Sequence, residues 1–257
     1  MSVSPAQARL LLKGKIMALY KFADLVVEIK NKYDFLAKQC IEYRYDGNAS
    51  PELEVCVTDE DIRRERDFSP EVHYPGGYLE SICAYRKLCL QLPKYDAFLL
   101  HGSVIECDGK GIAFTAKSGV GKTTHTMLWR KVYGDYVRII NGDKPIIRFL
   151  DGIPFAYGTP WAGKENFHCN ARVPLTDLCF IERGTENRVV QIRPEDRLSA
   201  VMQQILIPAE PQMAVKTLEL LDKLLSTCRV WVIRCDMSQD AAILAHDTIL
   251  GEENHEA

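Results

Sequence analysis

Apolar positions in the first third of the chain form short runs of the length that strands have. Residues 23–29 (ADLVVEI) and 52–58 (ELEVCVT) are continuous or alternating in their apolar positions, which predicts two strands. Residues 46–48 (DGN) and 50–51 (SP) between them indicate turns. Residues 59–67 (DEDIRRERD) mix both signs of charge, so a solvated loop or helix face is favoured over a binding patch.

A helical spacing begins at Tyr78. Apolar residues recur from there at i, i+4, i+7, i+11 and i+14, which predicts one amphipathic helix that ends at Pro93. The change of pattern between residues 75 and 95 marks a domain boundary. We therefore predict a small N-terminal α+β region, residues 1–95, as a candidate for selecting the substrate, followed by a second domain, residues 96–257.

Two Asp-Gly pairs, at residues 108–109 and 151–152, stand between apolar runs in the middle of the chain. Each pair joins two predicted strands: residues 97–107 and 111–115, and residues 145–150 and 153–157. A type I′ turn needs positive φ at both central positions, so each pair predicts a β-hairpin. Because hairpins join antiparallel strands, we expect a mixed sheet.

The last third of the chain combines strand and helix patterns. Residues 176–182, 188–193 and 229–235 are predicted strands. Two apolar stripes predict helices: Leu198, Val201, Met202, Ile205 and Leu206, and then Leu218, Leu221, Leu224 and Leu225. Ser238 is a candidate cap for a last helix, with Asp240 in its first turn. The predicted fold class is α/β (α+β) with a mixed sheet.

Composition excludes several classes of protein. The chain is 47% hydrophobic and 26% charged with a formal net charge of −3, so a disordered chain, a basic nucleic-acid footprint and a polybasic membrane patch are excluded. Lysines 13 and 15 interrupt the apolar residues 10–20 and Lys21 follows them, and no run reaches the roughly 18 apolar residues of a membrane span. The nine cysteines include no CxxC pair, which favours reduced packing residues in a cytoplasmic protein.

The strongest chemical signal is the segment 116–124 (AKSGVGKTT), which lies between the predicted strand GIAFT and the predicted helix THTMLWRKV. A strand, a glycine-rich loop and a helix in this order are typical of a phosphate-binding loop. Gly119 and Gly121 allow successive N–H groups to point at an anion, and the helix N-terminus adds its positive end. Ala116 stands where the usual pattern has its first glycine.

These features predict a nucleotide site. Its residues are Ser118, Gly119, Val120, Gly121, Lys122, Thr123 and Thr124. Lys122 suits the β- and γ-phosphates, and the Thr123 hydroxyl suits Mg²⁺. The chain has no NKxD guanine-reading motif and no LSGGQ-like signature, which argues against small GTPases and ABC-type ATPases.

His101-Gly102, the first Asp-Gly hairpin, SGVGKT and the segment 139–143 (IINGD) together resemble HPr serine kinase/phosphorylase and its relatives, which share a nucleotide core with phosphoenolpyruvate carboxykinase. The resemblance covers about residues 97–182, and segment 158–165 (GTPWAGKE) is similar to the small HPr-kinase-related proteins. It implies a mixed-sheet P-loop core, ATP and Mg²⁺ as cofactors, and transfer of the γ-phosphoryl group to a hydroxyl. Proteins of that family assemble into oligomers, so the resemblance also allows this chain to form a homo-oligomer.

The resemblance also implies catalytic roles for Lys122, Asp143 and His101. Asp143 matches the second of two adjacent acids, and is either a base or a metal ligand. The first acid of that pair falls on Gly142. His101 matches the family's His-Gly, and either approaches the phosphate or supports the sheet through a hydrogen bond.

Further candidates follow from the same resemblance. Glu165 would reach Mg²⁺ together with Thr123 and Asp143, while Lys164 and Arg172 would bind the substrate. Arg183 is a weaker candidate for clamping a phosphate. His168 and Cys169 have no partners at zinc-site spacing, so a zinc site is not expected there.

The sequence therefore predicts an ATP- and Mg²⁺-dependent kinase that acts on a hydroxyl acceptor: a serine of a protein or peptide, or a small-molecule alcohol. Phosphoenolpyruvate carboxykinase activity is not expected, because the chain is too short for that enzyme's additional domain. The missing acid at Gly142 leaves a non-catalytic ATP-binding sensor or scaffold as the alternative. A structural loop that binds only phosphate or sulfate is the third hypothesis.

Overall fold

The computed structural model describes residues 10–12, 15–68 and 70–251, and the chain divides into two compact units, Met1–Gln91 and Leu92–Ala257. The elements of the first unit are β1 (Leu10–Leu12), β2 (Lys15–Phe22), β3 (Leu25–Asn31), α1 (Asp34–Gln39), a 3₁₀ turn (Ile41–Tyr43), β4 (Leu53–Cys56), α2 (Asp59–Asp67) and α3 (Gly76–Cys89). Its sheet has the order β1-β2-β3-β4, in which only β3 and β4 are parallel.

The first predicted strand begins too early. Ala23 and Asp24 form the turn between β2 and β3, with φ values of 49° and 62°. A two-residue hairpin needs positive φ at both positions, and alanine is rarely found there, so the sequence carries no signal for this turn. Strand β2 is missing from the prediction, although its residues 16–20 form an apolar run between Lys15 and Lys21.

The charged run 59–67 is the helix α2, in agreement with its interpretation as a solvated face. Thr58 begins it with a capping box: its hydroxyl accepts a hydrogen bond from Asp61 N at 3.2 Å, and Thr58 N donates to Asp61 Oδ2 at 2.8 Å. Helix α3 ends at Cys89 and not at Pro93, because the chain continues there as a separate 3₁₀ turn, Leu92–Tyr95.

The second unit carries nine strands and four α-helices in the described residues. They are β5 (Ala97–Leu99), β6 (Ser103–Cys107), β7 (Lys110–Thr115), α4 (Lys122–Tyr133), β8 (Val137–Asn141), β9 (Ile146–Leu150), β10 (Ile153–Tyr157), β11 (Arg172–Arg183), β12 (Arg188–Ile192), α5 (Leu198–Met202), α6 (Pro211–Thr227), β13 (Arg229–Cys235) and α7 (Gln239–Gly251). The sheet order is β5-β9-β10-β11-β7-β6-β8, and β13 pairs with both β11 and β12.

Both predicted hairpins are confirmed. Cys107 pairs with Lys110 around Asp108 and Gly109, whose φ values are 51° and 74°. The second hairpin joins β9 to β10 in the same way. Because β11 pairs in parallel with β7 and with β13, the sheet is mixed and the fold is α/β, as predicted.

The predicted strand 97–107 is two strands. Strand β5 pairs with β9, whereas β6 lies between β7 and β8. The residues between β5 and β6 form backbone hydrogen bonds with other segments of the chain. His101 N donates to Gln204 O at 2.6 Å, and Gly102 N donates to Asp143 O at 2.9 Å. An added Cβ on Gly102 would lie 3.0 Å from Phe114 O, so a larger residue would push these segments apart.

The apolar stripe 198–206 also forms less helix than expected. Helix α5 ends at Met202, because Gln204 accepts the hydrogen bond from His101 and Ile205 forms a bridge to Leu100. Long-range backbone pairing therefore overrides the helical pattern at this point.

Alternating residues of the sheet point into two cores. Val104 packs with helix α6 in one core, while its neighbour Ile105 packs with α4 and α7 in the other. Among the described residues, no helix combines the length and apolar character needed to cross a membrane. All nine cysteines lie in the described part of the chain, where none forms a disulfide.

The fully buried carboxylate of Asp177 joins β11 to β13. It accepts hydrogen bonds from Arg229 Nε at 2.9 Å and from Trp231 Nε1 at 2.8 Å. We expect Asp177→Ala to lower the free energy of unfolding of this unit by about 3–5 kcal/mol, because Arg229 is left half-buried without its counter-charge. Urea unfolding followed by tryptophan fluorescence measures this unit alone, since all three tryptophans lie in it.

The matched control is Asp196→Ala, which removes an exposed carboxylate 3.3 Å from Arg193. An exposed pair contributes less than about 1 kcal/mol. Equal losses in the two variants would contradict a structural role for Asp177.

Candidate functional site

Residues 116–121 connect β7 to α4 and form the glycine-rich loop. Gly119 and Gly121 have φ values of 79° and 127°, and an added Cβ on either would meet no atom within 4 Å. These positions therefore favour glycine for their backbone conformation and not for lack of space. Ser118 and Gly119 are exposed, and α4 begins at Lys122, so the loop and the N-terminus of the helix face solvent together.

Arg183, at the end of β11, binds this loop. Its guanidinium donates to Val120 O at 3.0 Å and to Gly119 O at 2.5 Å. Because C=O and N–H of a planar trans peptide point in opposite directions, the Gly121 N–H points away from Arg183. Arg183 thus contacts the loop backbone, a positioning contact that the sequence pattern did not indicate.

Lys122 is almost buried at the start of α4. Its ammonium donates to Ala116 O at 3.1 Å. Burial lowers the pKa of Lys122, and the negative charge of Asp143 acts in the opposite direction. The lysine of the loop and the acid after β8 therefore act on one another electrostatically.

Asp143 lies between two cationic or protonatable side chains. Its Oδ1 is 3.3 Å from His101 Nε2, and its Oδ2 is 3.3 Å from Lys144 Nζ. Burial would raise the pKa of this carboxyl, but the His101 hydrogen bond and the Lys144 charge hold it below its usual value. Asp143 is therefore ionised at neutral pH, and His101 contacts it directly.

Asn141, at the end of β8, positions Asp143 and was missed in the sequence. Its buried Oδ1 accepts hydrogen bonds from Asp143 N at 2.8 Å and Lys144 N at 2.7 Å. Its Nδ2 donates to both oxygens of Thr159, at 2.9 Å and 3.0 Å. A single asparagine has no motif, so only the structure reveals this role.

Gly142 has little room for the acid that the resemblance would place there. An added Cβ would lie 3.0 Å from Ala162 O and 3.4 Å from Phe167 O, and Gly142 N donates to Phe167 O at 2.8 Å. The segment 158–168 therefore closes over this position. A carboxylate at residue 142 would require that segment to move.

The turn 163–166 lies against Asp143. An added Cβ on Gly163 would be 3.2 Å from Asp143 Cβ, and the next residues, Lys164 and Glu165, are exposed. The structure therefore brings this turn, with its candidate metal and substrate residues, beside the acid.

Arg172 makes different contacts. Its guanidinium lies over the rings of Phe155 and Tyr157, at 4.9 Å and 5.8 Å from their centres, and donates to Tyr157 OH at 2.9 Å. These contacts engage the guanidinium with aromatic side chains at the start of β11.

A cavity of about 390 Å³ opens beside the loop. Its walls are Gly119, Val120, Gly121, Thr124, His125, Ile181, Glu182, Arg183, Gly184, Cys235, Asp236 and Met237. Thr123 and Thr124 are half-buried in the first turn of α4. The glycine-rich loop and the first turn of α4 thus form one wall of this cavity.

His125 is buried behind this cavity. Its Nε2 accepts a hydrogen bond from Trp129 Nε1 at 3.1 Å, and burial lowers its pKa to about 4. The unfolded chain therefore binds a proton at this residue near pH 6.5, and the folded chain binds it only near pH 4. Stability is lost as pH falls through this window, because protonation favours the unfolded state.

We expect the His125→Gln variant to lose this pH dependence, which amounts to about 3 kcal/mol between pH 6.5 and 4. Urea unfolding at several pH values, followed by tryptophan fluorescence, measures the slope. His73→Gln, which changes an exposed histidine of the first unit, should leave the slope unchanged. A wild-type slope in His125→Gln would disprove the assignment.

Comparisons with known proteins support only a distant likeness. Protein-family models and curated proteins gave no match to this chain. A structure similar to the chain is the Hpr(Ser) kinase/phosphatase from Coxiella burnetii, with 9% sequence identity and a TM-score of 0.34. The likeness covers 61% of this chain and 95% of that one.

Proposed function

We propose that this protein is a kinase that binds ATP with Mg²⁺ and transfers the γ-phosphoryl group to a hydroxyl. The observation that carries the proposal is the contact of Asp143 with His101 after strand β8, together with the electrostatic influence of the same carboxylate on Lys122 of the glycine-rich loop. Strands β7 and β8 both run antiparallel to β6, so the loop and Asp143 follow the same ends of parallel strands. Ligands of α/β proteins bind at such an edge.

The residues present fit a nucleotide. The loop offers the Gly121 N–H and the N-terminus of α4 to an anion, and the adjoining cavity has space for part of a nucleoside. On binding, the Lys122 ammonium would exchange Ala116 O for phosphate oxygens. Ser118, Gly119, Val120 and Thr124 would complete the loop around the phosphates.

The donor set also fits Mg²⁺, which prefers oxygen ligands and keeps several waters. Thr123 supplies a hydroxyl, and the ionised Asp143 supplies a carboxylate in the alternative in which it is a metal ligand and not the base. Glu165 is proposed as a further ligand from the exposed turn. The bound ion would neutralise negative charge on the phosphates.

The chain's own residues would position the reaction. The acceptor hydroxyl would lie against Asp143, whose orientation is held by His101 and Asn141. The hydroxyl oxygen forms a bond to the γ-phosphorus, and the bond from that phosphorus to the bridging oxygen of ADP breaks. The hydroxyl proton passes to Asp143, and Lys122 stabilises the charge that develops on ADP.

The acceptor is proposed to be a serine of a protein or peptide, or a small-molecule alcohol. Lys164, exposed beside Asp143, would attract an acidic acceptor. Arg172 is kept as a candidate contact for the substrate, and the N-terminal region is proposed to select it. These assignments rest on the resemblance and on the exposure of the turn.

An ATP-binding sensor or scaffold without transfer is the second candidate. The crowding around Gly142 favours it, because the acid that would activate the hydroxyl is replaced by a glycine with little space beside it. The two candidates differ in what happens to bound ATP, so variants can separate them.

We expect Lys122→Ala to weaken ATP binding and to reduce phosphoryl transfer by about 100- to 1,000-fold, because the buried ammonium no longer meets the phosphates. Binding is measured as the stabilisation by ATP and Mg²⁺, which at a hundred times Kd amounts to about 2.7 kcal/mol. Lys131→Ala, an exposed lysine of the same helix, is the matched control and should behave as wild type. Wild-type binding and transfer by Lys122→Ala would refute the proposed site.

We expect Asp143→Asn to keep at least part of the ATP binding and to lose transfer, because the amide does not accept a proton. Formation of ADP and of labelled product is followed with serine peptides and small alcohols as acceptors. If the wild type binds ATP but forms neither ADP nor labelled product, the sensor replaces the kinase as the proposed function.

A further inference from the structure

A second group of chemically reactive side chains lies away from the glycine-rich loop. Cys107, Asp108 and His246 each turn one ligand-type atom toward the others, and these three atoms lie within 4.8 Å of one another. The cysteine is buried, the aspartate is exposed and the histidine is half-buried, so the cluster opens to solvent on one side. No role in the proposed kinase site uses these residues.

The β6–β7 hairpin brings the first two side chains to the same side. Cys107 is the last residue of β6, and Asp108 is the first turn residue, with a φ of 51°. Neighbouring residues of a regular strand point to opposite faces. The left-handed conformation of Asp108 ends that alternation, which allows the thiol and the carboxylate to approach a common point.

Helix α7 supplies the histidine, and two neighbours orient its ring. Tyr133, the last residue of α4, stacks on His246 with ring centres 4.2 Å apart and an interplanar angle of 20°. Asp247 Oδ1 lies 2.9 Å from His246 Nδ1. A carboxylate on one ring nitrogen is the arrangement that prepares the other nitrogen for a metal ion.

The distances suit a small metal ion after a modest adjustment. With bonds of about 2.0–2.3 Å, two ligand atoms of a tetrahedral zinc ion lie roughly 3.3–3.7 Å apart. The three atoms here are within 4.8 Å, and the exposed side chain of Asp108 is free to rotate toward the other two. A thiolate, an imidazole and a carboxylate provide three ligands, and water provides the fourth.

We propose that Cys107, Asp108 and His246 bind Zn²⁺ and thereby join helix α7 to the β6–β7 hairpin. The sulfur ligand disfavours Mg²⁺ and Ca²⁺, which take oxygen ligands, and the mixed sulfur, nitrogen and oxygen set suits zinc. The ion would connect helix α7 to a hairpin that is distant from it in sequence.

The thiol must lose its proton when it binds the ion. Burial raises the pKa of Cys107 to about 11, so the free thiol is protonated at neutral pH. Binding therefore releases the proton of the Cys107 thiol, because the thiolate and not the thiol is the metal ligand.

The test uses the full chain without nucleotide. Bound metal is first removed with a chelator, and the chelator is then removed. The protein is titrated with Co²⁺, which serves as a spectroscopic substitute for Zn²⁺. We expect one equivalent to bind, with visible bands of four-coordinate cobalt and a near-ultraviolet sulfur-to-cobalt band, and we expect Zn²⁺ to displace it. Absence of binding, or binding without the sulfur band, would overturn the proposal.

Three variants identify the ligands. His246→Phe keeps a ring to stack on Tyr133 but has no ligand atom, and we expect it to lose the cobalt spectrum. Asp247→Asn should weaken binding by about 10- to 100-fold, because it changes only the orientation and basicity of the imidazole. Cys107→Ala should remove the sulfur band, and the His246 and Asp247 variants keep the test decisive if this buried substitution unfolds the chain.

Two control variants test whether the Co²⁺ ion binds at another thiol or at the proposed nucleotide site. Cys56→Ser changes an exposed cysteine, and His101→Ala changes the histidine beside Asp143. Both variants should bind Co²⁺ with the wild-type spectrum and affinity. Loss of the spectrum in either control, or wild-type binding by His246→Phe, would show that the metal lies elsewhere.

Discussion

The candidate site depends on the hydrogen bonds that the buried side-chain amide of Asn141 makes. This amide connects the end of β8 to Asp143 and Lys144 through their N–H groups, and to Thr159 on the segment that covers Gly142. Thr159 in turn donates to Lys144 O at 2.9 Å, which closes the network. A fully satisfied polar network in a core gives one defined arrangement, whereas loss of one member leaves the others buried without partners.

The same network extends to the helix that follows the glycine-rich loop. Ser103 donates to Asn141 O at 3.3 Å and accepts a hydrogen bond from Thr126 Oγ1 at 2.8 Å. Thr126 lies one turn after Lys122, and its hydroxyl proton is shared between Ser103 Oγ and the carbonyl oxygen of Lys122, which is 3.0 Å away. The position of Lys122 relative to Asp143 is therefore set by hydrogen bonds between β6, β8 and α4. Flexible loop residues alone would not hold the two charges in a fixed relation.

The features that the sequence predicts well are local. Each Asp-Gly hairpin is a property of two residues and their flanking strands, and the glycine-rich loop is a property of one continuous segment. The break between β5 and β6 depends on Gln204 and Asp143, which lie far along the chain from residues 100–102. Likewise Arg183 reaches the loop across a separation of 63 residues. Contacts between residues that are far apart in the sequence produce no periodic pattern in it. The roles that the sequence did not predict therefore belong to residues of this kind.

The glycine-rich loop and the proposed zinc site stand at opposite ends of the same two elements. Strand β7 begins after the Asp108 turn and ends at the loop, while α4 begins at the loop and ends at Tyr133, which stacks on His246. Six strand residues span about 20 Å, and twelve helical residues span about 18 Å.

At that separation, two unit charges in water interact by only about 0.2 kcal/mol, and salt screens them further. A metal ion there would therefore change the proposed phosphate site little through its charge. Its effect would pass through packing, because α4 and α7 share one apolar core in which Trp129 lies between the two ends. A bound ion would hold α7 against the hairpin and so stabilise the end of α4 opposite the loop, while the proposed phosphate chemistry would stay with Lys122 and Asp143.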